Sequence, residues 1–173
     1  MSGQSLYAEA KKIYDAGNPR ESIAMFEQAR AAFLAEGNVT QAAHVANDLG
    51  VVYYLVGRRE EAKKILQDAL ASFEQLGDIA GQAKAIGNLA QVLNKAGDHA
   101  GAEQNYHRAA ELFHQIGERM MEYFTYRALS QMQLQRGRWL EALHSFDRAL
   151  AAKGGSTLLR WFFQIPLKLL GIR

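Results

Sequence analysis

The sequence predicts an all-α protein built from four helix-turn-helix repeats, and three observations carry that prediction. Glycines recur in two interleaved series, Gly17, Gly57, Gly97, Gly137 and Gly37, Gly77, Gly117, each with a step of 40 residues and an offset of 20. In the same register Leu49, Leu89 and Leu129 align, Gly50, Ala90 and Ser130 are all small, and Ala29, Ala69, Ala109 and Ala149 are identical. Phe26, Leu66, Tyr106 and Phe146 make a fourth column, of large side chains. Self-similarity at a fixed period is the mark of a repeat architecture. Finally, only two prolines stand against many Ala, Leu, Glu, Gln and Lys, which favours helix.

The helix pairs succeed one another along the chain. The first spans about 4–36; Gly17 breaks it, and Asn18-Pro19-Arg20-Glu21 restarts it with a capping side chain, a proline in the first turn and a Glu soon after. This pair is the most polar. Glu9 stands where Leu49, Leu89 and Leu129 stand, and Glu36 where Leu76 and Ile116 do, as suits a terminal cap. The second pair, 39–76, shows the helical spacing best: Ala62, Ile65, Leu66, Ala69, Leu70, Phe73 and Leu76 form one broad apolar face. The third, 79–116, and fourth, 119–153, repeat it, with glycines supplying the left-handed or turn conformations between helices. The small column lets two helices approach closely, and the large column is the knob of each second helix. Residues 1–153 thus form the repeats, and 154–173 a Gly-Gly break and an apolar, basic tail.

Composition narrows the function. The 173 residues suffice for one domain with a real core, and 49% apolar with 22% charged residues is a globular balance. A net charge of +2, from 20 basic and 18 acidic residues, is too small an excess to argue for nucleic acid. The absence of cysteine removes disulfides and thiolate metal sites. The first residues, MSGQSLYAEAKKIYDAG, hold no apolar signal-peptide core, so the expectation is cytoplasmic, and the Asn38-Val39-Thr40 sequon is read as chance.

The stretches NDLGVVYYLVGRREEAKKILQDALASF and GNLAQVLNKAGDHAGAEQNYHRAAELF resemble tetratricopeptide repeats, of the long 40-residue variety with a GD..G.A.A..NL opening. The resemblance covers about residues 4–153. It implies a right-handed superhelical solenoid whose first helices line a concave groove that receives a peptide or helix of a partner. The groove-facing columns are then Tyr7, Lys11, Tyr14 and Asp15 in the first repeat, and His44, Asn47, Val51, Tyr54 and Leu55 in the second. The third contributes Lys84, Gly87, Asn88, Gln91, Asn94 and Lys95, and the fourth Phe124, Arg127, Gln131, Leu134 and Gln135. Amides, aromatics and a few cations make a binding surface. Lys11, Lys84, Lys95 and Arg127 outnumber Asp15 and Asp48, which mildly favours an acidic partner. Chaperone-binding relatives clamp a C-terminal carboxylate with five residues; here Tyr7, Lys11, Asp48, Lys84 and Asn88 occupy those places, and only Lys84 matches. A chaperone-tail receptor is not expected.

No catalytic residue, metal or cofactor is predicted. Glu103, His107, Glu111 and His114 recur at three- and four-residue spacing, and Glu141 with His144 repeats a Glu-x-x-His pair of the kind that builds di-iron sites in bundles. Equivalent helices run parallel with positions 40 apart level, so His114 is level with residue 154. That is ten residues beyond His144, about 15 Å at 1.5 Å per residue. Solvated ion pairs explain the stripe. There is no Gly-rich phosphate loop, no His-Glu-x-x-His motif and no strand to carry a nucleophile.

The tail differs in kind. Lys153 stands where Phe33, Phe73 and Phe113 stood, and from there on the chain carries Lys153, Arg160, Lys168 and Arg173 with no acid. Leu158, Leu159, Trp161, Phe162, Phe163, Ile165, Leu167, Leu169, Leu170 and Ile172 are apolar, in a segment too short and too charged to span a bilayer. Three readings stand: a cap on the stack in cis, with Leu169 in the register of Leu129; a dimer contact in trans; and a membrane-interface anchor. The predicted function is a non-catalytic interaction scaffold, with a peripheral membrane adaptor or a tail-mediated homodimer as the alternatives.

Overall fold

The computed structural model describes residues 1–155, and among these every regular element is an α-helix. They are α1 (Gly3–Asp15), α2 (Pro19–Ala35), α3 (Val39–Leu55), α4 (Arg59–Leu76), α5 (Ile79–Ala96), α6 (His99–Gln115), α7 (Arg119–Gln135) and α8 (Trp139–Ala152). The chain divides into two compact units, Met1–Ala102 and a second that begins at Glu103 inside α6.

One turn explains the 20-residue spacing. Gly17, Gly37, Gly57, Gly77, Gly97, Gly117, Gly137 and Gly154 all have positive φ, and no other described residue does. After each, the next amide reaches back five residues: Asn38 N–H donates to Phe33 O at 2.8 Å, Asp78 to Phe73 O at 3.0 Å, Glu118 to Phe113 O at 2.9 Å. This is the Schellman closure, which needs a left-handed residue that glycine adopts without a Cβ penalty. The next helix then starts at once. Asn38, Asp78 and Asp98 cap α3, α5 and α6 by accepting from the amides of Gln41, Gly81 and Gly101. Asn18 departs from expectation: Pro19 does open α2, but the Asn18 side chain makes no cap hydrogen bond.

In the first unit the apolar columns meet as the core. Phe26 and Leu66 are 2% and 0% exposed, and Ala29, Ala69 and Leu49 are equally buried. Gly50 lies against Leu66 and Gly81 against the Phe73 ring, so small residues do set the close helix approaches. Leu76, expected on the apolar face of α4, is exposed at the helix end. In the second unit Leu129, Ala109 and Ala149 are buried, and Ser130 joins the core by donating to Ala142 O at 2.7 Å. Phe146 is only half-buried.

Candidate functional site

Helical spacing places Tyr7, Lys11 and Tyr14 along one line of α1, and His44, Asn47, Val51 and Tyr54 along one line of α3. The two lines are joined where the Tyr7 hydroxyl donates to Asp48 Oδ2 at 2.6 Å. Burial first, then the hydrogen bond and charge of Asp48, push the Tyr7 hydroxyl well above its ordinary pKa, so it stays a donor. Lys11 Nζ sits 5.6 Å from the Tyr7 ring centroid. Beyond this link a cavity of about 180 Å³ opens between the helices, lined by Lys11, Tyr14, Asp15, Phe26, Asp48, Val51 and Val52. Its walls are mostly apolar and its rim is charged. Phe26 and Val52 belong to the buried core, so periodicity alone assigns them to packing rather than to a cavity wall.

Several groove residues are engaged within the chain. Asn47 is only 8% exposed, and its Oδ1 accepts from Asn88 Nδ2 at 3.0 Å, an amide rung between α3 and α5. His44 turns toward the α4–α5 junction, its ring 5.0 Å from that of Phe73 and Nε2 3.7 Å from Asp78 Oδ2. Asn94 Oδ1 lies 2.9 Å from His99 Nδ1 at the start of α6. Tyr54 packs against the core. Lys84, Gln91, Lys95 and Leu55 remain exposed, and Gly87 is half-buried.

In the second unit α7 presents Phe124, Arg127, Gln131, Leu134 and Gln135 as exposed residues. Phe124 is 47% exposed and meets the Tyr123 ring edge-on at 5.2 Å. Met120, four residues earlier and equally exposed, extends the same stripe, although the repeat columns do not mark it.

The Glu/His stripe is split between two cavities. His114 pairs with Glu122 at 3.1 Å, in a cavity of about 450 Å³ whose lining also includes Glu111, Tyr126, Asp147, Arg148 and Ala151. Glu103 and His107, by contrast, share a cavity of about 170 Å³ with Glu141 and His144. Register from His114 separates it from His144, and the two line different cavities; register from Glu103, which is level with residue 143, sets Glu103 and His107 beside Glu141 and His144, a neighbourhood that the comparison from His114 does not show. Arg138 donates to both Glu103 oxygens, at 2.6 and 3.3 Å, and Gln133 donates to Oε1 at 2.7 Å. Burial pushes the Glu103 carboxyl up, but these hydrogen bonds and the Arg138 charge outweigh it and hold the group below its ordinary range. No group of three or more His, Asp and Glu able to hold a metal occurs among the described residues. No described helix is long and apolar enough to cross a membrane. The predicted tail contacts, Leu159, Trp161, Phe162, Phe163, Ile165 and Leu169, lie outside the described residues.

Comparison with known proteins agrees with this architecture. The model of the soluble NSF attachment protein (SNAP) family matches residues 2–122 and, again, 53–165, two overlapping placements of the kind a repeating chain allows. No curated protein sequence matches the chain. Among solved structures, MamA superposes with a TM-score of 0.66 at 20% identity, covering 88% of this chain and 78% of that one. BtubC (BKLC) from P. vanneervenii gives 0.70 at 19% identity, over 87% of this chain and 62% of its own. A candidate kinesin light chain of Podosopora anserina, with nearly identical TPR-like repeats, gives 0.66 at 14% identity over 97% and 94%. At these identities the likeness is one of fold: an all-α, tetratricopeptide-type repeat solenoid.

Proposed function

The chain belongs to the soluble NSF attachment protein (SNAP) family, and we propose that it serves as a non-catalytic scaffold that holds a peptide or helix of a partner protein. The observation that carries this reading is the α1–α3 cavity: about 180 Å³, apolar in its walls, with Lys11, Asp15 and Asp48 at its edge. A dry apolar cavity of about 150 Å³ accommodates a benzene-sized group, so this one suits a single leucine- or phenylalanine-sized anchor. The Tyr7–Asp48 bond ties the two helices beside it, which keeps the cavity formed before a partner arrives. The exposed Lys84 and Lys95 on α5 favour acidic residues flanking that anchor.

The test is an affinity capture with the full chain and two variants, Val51→Asp and Lys84→Glu/Lys95→Glu. Val51 is half-buried on the cavity wall and both lysines are exposed, so the fold should survive, which a melting curve checks. A partner retained by the parent and lost from Val51→Asp is a cavity ligand, and its acidic flank is indicated by weaker retention on the lysine variant. If every captured protein binds all three forms equally, the proposed site is wrong.

A further inference from the structure

The open side chains of α7 fall on one line. Met120, Phe124, Arg127, Gln131 and Leu134 follow at steps of four, three, four and three, and all five are exposed. At 3.6 residues per turn they stay within about 80° of the helix circumference, over about 21 Å of its length. This is the seam pattern by which one helix packs along another. Met120 and Phe124 are each 47% exposed and Leu134 is 58% exposed, so about half of each apolar side chain is left to solvent. The half-buried Tyr123 ring meets Phe124 edge-on at 5.2 Å and holds it in place as an anchor.

The charge of this face has one sign. Arg127 lies at the centre of the line, Arg119 adjoins its first residue, and the exposed Lys153 places Nζ 5.2 Å from the Tyr123 ring centroid. The one carboxylate of α7, Glu122, is 7% exposed, points to the opposite side of the helix and pairs with His114. Glu118 is exposed but precedes the line. Charge therefore sorts the occupants. A second copy laid α7 on α7 would set Arg127 and Arg119 against like charges, and the segment 156–173 carries Arg160, Lys168 and Arg173 with no acid. A membrane interface favours polar residues at the rim of an apolar face, whereas Arg127 and Gln131 stand between Phe124 and Leu134. An acidic amphipathic helix meets each condition: apolar residues at the same four-three steps, and carboxylates to face the cations.

We propose that the exposed line of α7 docks an acidic amphipathic helix of a partner protein, about four turns long. Arg127 sets the register, because a shifted partner would leave its guanidinium desolvated between apolar contacts without a carboxylate. The line is narrow, so the complex belongs to the weak, transient class of interfaces. The surface lies wholly in the second unit, and the inference does not depend on a partner binding at the α1–α3 cavity.

The probe is a fluorescein-labelled peptide of about 18 residues, long enough to form a helix, with leucines at steps of four and three, glutamates flanking them, and alanine and glutamine elsewhere. A twin carries lysine in place of each glutamate. Binding to the full chain is read by fluorescence anisotropy. The glutamate peptide should bind several-fold more tightly than its twin, and added salt should weaken it. Arg127→Glu should reverse that preference, Phe124→Ser should weaken both peptides, and Val51→Asp, in the α1–α3 cavity, should change neither. Phe124 and Arg127 are exposed, so the fold should survive, which a melting curve checks. No binding of the glutamate peptide, or binding indifferent to Phe124→Ser or to Arg127→Glu, overturns the proposal. So does loss on Val51→Asp, which places the peptide in the α1–α3 cavity. Capture of the chain through Phe124 by phosphatidylserine vesicles but not by the peptide overturns it as well, and makes the line a membrane surface.

Discussion

The hydroxyl of Tyr7 on α1 meets the carboxylate of Asp48 on α3 at 2.6 Å, joining residues 41 apart in sequence beside the α1–α3 cavity. It is a charge-assisted bond between two half-buried side chains. Tyr7→Phe keeps the ring against Phe26 but removes the donor. The expected cost is about 1.5–3 kcal/mol, the range for a hydrogen bond to a charged group. Thermal unfolding should show it as a fall of roughly 3–12 °C in Tm, since about 1 kcal/mol moves a domain of this size by about 2–4 °C. An unchanged Tm would mean that Asp48 is satisfied by water instead.

Two helical glycines should respond differently to alanine. A Cβ on Gly81 would lie 2.3 Å from Phe73 Cδ1, whereas one on Gly50 would meet Leu66 Cγ at 2.5 Å and Cδ2 at 2.6 Å. Phe73 and Leu66 are both fully buried, but the added Cβ at Gly81 meets the rigid Phe73 ring more closely and with three atoms, at 2.3, 2.6 and 2.6 Å. Overpacking costs about 1–3 kcal/mol, against a helix-propensity gain of about 1 kcal/mol for alanine over glycine. Gly81→Ala should therefore destabilise clearly and Gly50→Ala less, as read by urea midpoints. The reverse order would show that α4 and α5 can shift apart.

The Glu103 cluster should be asymmetric. Removing Arg138, whose side chain is 38% exposed, forfeits a partly screened ion pair worth about 1 kcal/mol. Removing the Glu103 carboxylate also strands the amide of Gln133, which is 2% exposed, and an unsatisfied buried donor costs about 1–3 kcal/mol more. Glu103→Ala should thus lower the urea midpoint further than Arg138→Ala. Equal effects would mean that Gln133 re-pairs.

Acid should weaken the second unit in two stages. His107 is half-buried, and burial first, then the Arg148 charge, hold its pKa below the ordinary value, with Glu103 and Glu111 opposing and His144 adding to the fall. The unfolded chain, with its histidine near pKa 6.5, then binds the proton more readily. Stability is present in full above about pH 6.5 and is lost as pH falls through the lower folded-state pKa. Glu103, also lowered, loses its contribution in a second window, below the ordinary carboxylate pKa of about 4.5. Urea midpoints measured between about pH 7.5 and 5.5 should decline, and His107→Gln should flatten that first decline while the second remains, since Arg138 and Gln133 still hold Glu103.

The repeat register was legible because it is written in local chemistry. A glycine every 20 residues closes the same Schellman turn seven times, from Gly17 to Gly137, and the apolar columns between the turns bury the same face. The candidate site was legible only in part. Columns put Lys11, Tyr14 and Val51 on the cavity, but they could not show that Asn47 is turned toward Asn88, or Asn94 toward His99. The repeat register rightly kept His114 apart from His144, but it was not applied to Glu103 and His107, which packing sets beside Glu141 and His144.

Helix identity, helix length and the order of turns thus came from residues within one or two turns of each other, where backbone conformation and apolar spacing act. Which half-buried amide faces a neighbour, and which carboxylate Arg138 or Tyr7 selects, depended on side chains 35 to 41 residues away being brought within hydrogen-bond distance. That choice belongs to tertiary packing, because a polar side chain takes whichever partner spares it an unpaired burial.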